Sequence, residues 1–170
     1  MSESKVLLNL MPTAIKSDKI DLSSVKETEE LAGTFLKKIK PGCFIFLYGE
    51  IGVGKTTFIR YLINQFQKLN KLEITEVTSP TFNLLNEYQI NDFKINHYDL
   101  FRLKNYKDIL ELGIFENSEN YIKIVEWPEL IMPKPVDRLD VVIKYSKKVN
   151  ERIVDIIGHG KCKNYKLNEI

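Results

Sequence analysis

Apolar positions along the chain alternate between two periods. In residues 23–42, "SSVKETEELAGTFLKKIKPG", Val25, Leu31, Ala32, Phe35, Leu36 and Ile39 fall largely on one helical face. Ser24 and Glu27 stand at capping-box spacing at its start, and Pro41-Gly42 ends it. "CFIFLYG" is an unbroken apolar run bounded by glycines, the pattern of a strand buried on both faces. "KTTFIRYLINQFQKL" returns to the helical period. The β-rich runs "VTSPTFNLLNEYQI" and "FKINHYDL" meet at Asn91-Asp92 and predict a hairpin. "YKDILELGIF" reads as a short helix with Gly113 near its C-cap, and "YIKIVEW" as a strand. "LDVVIKY" and "ERIVDIIG" predict a final hairpin, with Pro133 and Pro135 in the connection before it. These elements sum to one α/β domain with a mixed central sheet flanked by helices. The sheet is expected to be parallel near the first strand and antiparallel in the hairpins. The domain spans residues 1–170, with 1–22 as an N-terminal segment and 158–170 as a C-terminal tail.

Composition narrows the classes without naming a job. Hydrophobic residues make up 44 % of the 170 and charged residues 28 %, as in soluble globular proteins. A formal net charge of +2 argues against a protein that mainly coats nucleic acid. No apolar run approaches the ~20 residues needed to cross a bilayer, and the N-terminus lacks a signal-peptide layout. Cys43 and Cys162 are far apart and form no CxxC pattern, so neither a disulfide framework nor a zinc site is expected. A reducing cytoplasm fits this pattern best.

The candidate chemistry starts at "GEIGVGKTT", residues 49–57. Gly49, Gly54, Lys55 and Thr56 match G-x-x-x-x-G-K-[ST] between a predicted strand and a predicted helix, the layout of a P-loop NTPase. Glycines let the backbone turn its N–H groups inward into an anion nest, and the helix N-terminus adds partial positive charge. Lys55 can reach the β- and γ-phosphates, and the Thr56 hydroxyl can ligate Mg²⁺. Such a metal needs an acid from a neighbouring strand end. Asp99 ends "KINHYDL" and Glu126 ends the apolar part of "YIKIVEW". One could hold Mg²⁺ while the other orients the attacking water. The plain alternatives are a surface pair of Asp99 with Arg102 and a solvent-exposed Glu126. His97 reads as a structural partner in its strand rather than a base. Guanine specificity is disfavoured: "NKLE" at residues 70–73 stands too early and ends in Glu, and Asp99 is followed by "LFR" rather than D-x-x-G. Four arginines are few for the lid of a small-metabolite kinase. That kinase and a nucleotide-gated interaction module remain the competing readings.

Five segments in order then carry a resemblance: "GEIGVGKTTFIR", "SPTF" (79–82), "HYDLFRL" (97–103), "ELGIF" (111–115) and "EWPEL" (126–130). Over residues 24–130 the chain resembles the TsaE family, the bacterial P-loop ATPase of tRNA threonylcarbamoyladenosine biosynthesis. The resemblance implies a weak ATPase using Mg²⁺ and ATP, which becomes ADP. Its role would be in N6-threonylcarbamoyladenosine formation at position 37 of ANN-decoding tRNAs. It would work with the subunits TsaD and TsaB and meet tRNA only through that complex, with no membrane involved. By motif, the loop Gly49, Glu50, Ile51, Gly52, Val53, Gly54, Lys55, Thr56 and Thr57 would hold the phosphates. Thr56, Glu126 and Asp99 would form the metal site, with Lys55, Asp99 and Glu126 catalytic. Ser79-Pro80-Thr81 would be a switch-like loop toward the γ-phosphate, and Trp127 would lie beside the site. Val25 and Thr28, with the turn near Asn150, would contact adenine. Glu50-Ile51 and Val53 replace the family's more usual Asp-Leu and Ala, and these changes leave the glycines in place. Seven basic residues in 144–166, against Glu151 and Asp155, read as a solvated basic face or as a contact for tRNA or a partner.

Overall fold

The structure is a computed structural model that describes residues 20–21, 24–36, 39–147 and 151–163. Its strands are β1 (Ile20–Asp21), β2 (Phe44–Tyr48), β3 (Leu85–Ile90), β4 (Phe93–Asp99), β5 (Tyr121–Glu126), β6 (Arg138–Tyr145) and β7 (Arg152–His159). The α-helices are α1 (Val25–Leu36), α2 (Lys55–Leu69) and α3 (Tyr106–Glu111). The strands form one sheet in the order β1-β7-β6-β2-β5-β4-β3. Strand β2 runs parallel to β5 and β6, and β4 runs parallel to β5. The β3–β4, β6–β7 and β1–β7 pairs are antiparallel. This is the mixed sheet that the pattern predicts.

Strand β2 is the pivot. Ile45 and Leu47 face the layer built by α1 and α2, and Phe44 and Phe46 face the layer that includes α3. Both faces are therefore buried, which is why the run is apolar without alternation. Phe35 of α1 meets Phe58 of α2 edge-on, with ring centroids 5.2 Å apart. The capping box forms: Glu27 N–H donates to Ser24 Oγ at 3.2 Å, and Ser24 N–H donates to Glu27 Oε2 at 3.2 Å.

Three expected boundaries move. The β-rich run from Val77 forms strand only from Leu85 onward. Leu84 has φ 64° and its N–H donates to Pro80 O at 2.6 Å, so residues 80–84 curl into a turn. Strand β1 lies in the expected N-terminal segment and pairs with β7, a link no local pattern signals. At the other end β7 runs through His159, and Gly160–Cys162 adds a 3-10 turn, so secondary structure extends into the expected tail. Both cysteines are free, and this turn brings Cys162 Sγ to 3.1 Å from Cys43 Sγ.

Lys123, in mid-β5, is 1 % exposed. Its ammonium donates to the Ile114 and Glu116 carbonyls and to Ser118 Oγ, pinning residues 114–118 under the sheet. Burial pushes its pKa down to about 8, with Glu116 pushing back. The folded state therefore releases this proton before the unfolded chain does, whose value is the ordinary 10.5. Between about pH 8 and 10.5 the unfolded state binds more protons, so this residue's contribution to stability rises with pH. Urea unfolding at pH 7 and pH 10 should show the wild type gaining on Lys123→Met at the higher pH.

Candidate functional site

The loop after β2 is built on three glycines with positive φ: Gly49 at 143°, Gly52 at 77° and Gly54 at 113°. At Gly49 a Cβ would stand 2.4 Å from the Ile143 carbonyl oxygen, so the loop lies against β6 where no side chain fits. Gly54 caps α2 in a left-handed conformation, and Lys55 begins the helix. The Lys55 ammonium folds back to donate to Gly49 O at 2.7 Å and Glu50 O at 2.9 Å. It also stands 3.8 Å from the centroid of the Trp127 ring. Burial lowers the Lys55 pKa, while Glu126, Asp99 and Glu129 oppose that shift. Trp127 itself has φ 58° and packs on Phe101, with centroids 4.9 Å apart.

Parallel pairing carries the acids to this loop. The register aligns Leu47 with Glu126 and Glu126 with Asp99, so three strands end side by side. Glu126 is 2 % exposed and Asp99 is 3 % exposed. Neither is the surface acid of the plain reading, and Arg102 lies instead against the Phe82 ring. Thr56 Oγ1 lies 2.9 and 3.0 Å from the two Glu126 oxygens. His97 Nε2 lies 2.9 Å from Glu126 Oε1. Asp99 Oδ2 accepts from Ser79 Oγ at 2.8 Å and Thr81 Oγ1 at 2.6 Å, and its Oδ1 accepts from Phe101 N–H at 3.0 Å. The 79–81 loop is thus tied to one acid and helix α2, which follows the glycine loop, to the other.

A cleft of about 350 Å³ opens between these groups. Ile51, Gly52, Gly54, Lys55, Thr56 and Thr57 form one wall, and Ser79, Thr81, Asp99, Phe101, Glu126 and Trp127 form the other. A second hollow of about 200 Å³ shares Gly52, Gly54 and Thr57 with it. Val25 and Thr28 border that hollow together with Ser24, Val53 and Arg152. Three of the expected loop residues do not line the main cleft. Gly49 and Glu50 offer their carbonyls to Lys55, and the Val53 side chain is buried in the core. The turn near Asn150 lies outside the described residues.

Arg152 has a role that the sequence pattern does not single out. Arg152 donates to Val53 O at 2.9 Å and so braces the loop from β7. In sequence it falls among the basic residues of 144–166, and its place at the head of the last strand is the available signal. His97 is a structural partner, as expected, and its bond goes to Glu126 on the neighbouring strand. Of the other basic residues, Lys144 pairs with Asp155 at 2.8 Å and Lys161 with Asp137 at 3.5 Å, while Lys148 and Lys166 lie outside the described residues.

The family model for the threonylcarbamoyl adenosine biosynthesis protein TsaE matches residues 22–154. The chain belongs to the TsaE family. A TsaE of Rickettsia conorii is 38 % identical over 140 residues, covering 82 % of this chain and 78 % of that protein. A TsaE of Bacillus subtilis is 33 % identical over 121 residues, covering 70 % and 72 %. The crystal structure of Bacillus subtilis YdiB superposes with a TM-score of 0.64 at 25 % identity, covering 88 % of each chain. The TsaE assignment places this chain in tRNA threonylcarbamoyladenosine biosynthesis. No described helix is long and apolar enough to cross a membrane.

The glycines differ in what they tolerate. At Gly54 an added Cβ meets nothing within 4 Å, so Gly54→Ala carries only backbone strain, about 1–3 kcal/mol. Gly49→Ala adds a collision with a backbone oxygen and should lower the urea midpoint further than Gly54→Ala does.

Proposed function

We propose that this TsaE-family protein binds ATP with Mg²⁺ and hydrolyses it to ADP and phosphate, as the ATPase subunit of a tRNA-modifying assembly with TsaD and TsaB. The observation that carries the reading is Glu126, a buried carboxylate held against the Thr56 hydroxyl at the head of a phosphate-loop helix. The residues present fit the metal. Among the described residues no three His, Cys, Asp or Glu side chains form a closed cage. Mg²⁺ at a nucleotide needs none, because it keeps water and phosphate oxygens and takes one or two protein oxygens. When bound there, the ion would neutralise charge developing on the phosphates.

The protein's own part follows from its geometry. Lys55 is a desolvated cation held, among the described residues, by two loop carbonyls and the Trp127 ring, so it can turn to phosphate oxygens. The loop N–H groups and the start of α2 present partial positive charge to the same anion. The Thr56 proton points at Glu126, which leaves a hydroxyl lone pair for the metal. Asp99 is placed to hold the attacking water or the 79–81 loop. Adenine would take the hollow beside Val25, Thr28 and Arg152, which adjoins the glycine loop. Two free thiols suit the cytoplasm, where tRNA would be met through the complex.

Reconstitution tests the reading. TsaD, TsaB, threonylcarbamoyl-AMP, ATP and tRNA are combined with and without this protein, and modified tRNAs are counted per complex. Turnover unchanged by leaving it out would sink the assembly role. Phosphorylation of a small acceptor without TsaD or TsaB would point to a kinase instead. Lys55→Ala should lower ATP hydrolysis by roughly 100-fold, the typical effect of removing one donor to a developing anion. Glu126→Ala should reduce hydrolysis more than nucleotide binding. The fluorescence of Trp127 should change on adding Mg²⁺-nucleotide, because Lys55 must leave its ring. A flat titration would contradict that movement.

A further inference from the structure

His97 is fully buried, and its ring makes one hydrogen bond, from Nε2 to Glu126 Oε1 at 2.9 Å. Nδ1 is also buried and has no partner. A proton on Nδ1 would be stranded there, so the ring N–H is Nε2–H and Glu126 is the acceptor. A strand interior of this kind is better filled by an aliphatic side chain, which leaves no orphaned nitrogen. Its contribution is thus the one bond it makes.

The pleat explains why this position can make that bond. His97 and Asp99 are two apart on β4, and Ile124 and Glu126 are two apart on β5. The register pairs His97 with Ile124 and Asp99 with Glu126. All four side chains therefore share the sheet face that carries α2. His97 sits one pleat below Glu126, deeper in the core, and reaches up to it. Thr56 reaches the same carboxylate from the helix side, at 2.9 and 3.0 Å.

We propose that His97 is a positioning residue: its Nε2–H fixes the roll of the Glu126 carboxylate, which in turn holds the Thr56 hydroxyl with its lone pair toward the cleft. With the ring gone, the carboxylate keeps only the Thr56 donor and turns in its slot. The hydroxyl then loses its fixed direction. The metal-binding geometry is degraded, while the glycine loop and Lys55, which His97 does not touch, still bind phosphates. The inference rests on the Mg²⁺–nucleotide reading and adds to it the residue that sets the ligand geometry.

The test measures binding of a fluorescent ADP analogue by the full chain, first in EDTA and then across a Mg²⁺ titration. His97→Leu should bind the analogue in EDTA within about twofold of wild type, since no phosphate contact is lost. Its half-saturating Mg²⁺ concentration should rise by roughly 10–100-fold, the usual effect of removing an outer partner of a metal ligand. His97→Gln, whose amide N–H₂ can reach Glu126, should recover most of that loss. His97→Asn, similar in chemistry but shorter, should not. Equal Mg²⁺ dependence in wild type, Leu and Asn variants overturns the inference. So does a parallel loss of binding in EDTA, which would mean that the ring supports the whole site. If His97→Leu does not fold, the Gln and Asn variants decide by the same criterion. A wild type whose nucleotide binding ignores Mg²⁺ removes the metal reading itself, an outcome separable from any effect at His97.

Discussion

The structure turns on one buried carboxylate. Glu126 is almost wholly removed from water, and an unpartnered carboxylate there would be penalised by several kcal/mol. It is tolerated because two donors converge on it, Thr56 from the start of α2 and His97 from β4. Those donors are placed by two separate structures, a helix and a strand. The carboxylate can be satisfied only when both stand where they do. The site's polarity and the fold's register are therefore the same constraint.

That constraint explains the arrangement of strands. The acids come from β4 and β5, which are parallel neighbours, and the glycine loop leaves β2, which is parallel to β5. Parallel strands end at the same edge, so their last residues face one cleft. The antiparallel strands β3 and β7 do other work. Strand β3 is preceded by the 79–84 turn that delivers Ser79 and Thr81 to Asp99. Strand β7 begins with Arg152, which braces the loop through Val53 O.

Much of this is legible in the amino-acid sequence itself. The capping box, the two-sided burial of "CFIFLYG", the glycine loop and the strand-end acids are local signals, spelled by residues within a few positions of one another. What escaped has the opposite character. The pairing of β1 with β7 joins segments some 130 residues apart, and two residues of strand carry no period to read. The late start of β3 depends on Leu84 adopting a left-handed conformation, which its side chain does not advertise. The 3.1 Å approach of Cys43 to Cys162, the bracing by Arg152 and the bond from His97 to Glu126 are contacts between distant elements. In each case residue type suggested chemistry, and only packing chose the partner.

Gly52, Gly54 and Thr57 border both hollows at once. The smaller hollow is walled on its far side by Val25 and Thr28 of α1, whose Phe35 packs on Phe58 of α2. A ligand filling both would act as a strut between a peripheral helix and the centre of the sheet. Coupling of that kind is reciprocal: whatever free energy the ligand lends to the docking of α1, the docking lends to the ligand. Affinity at this loop would then be partly stored in apolar contacts remote from the ligand.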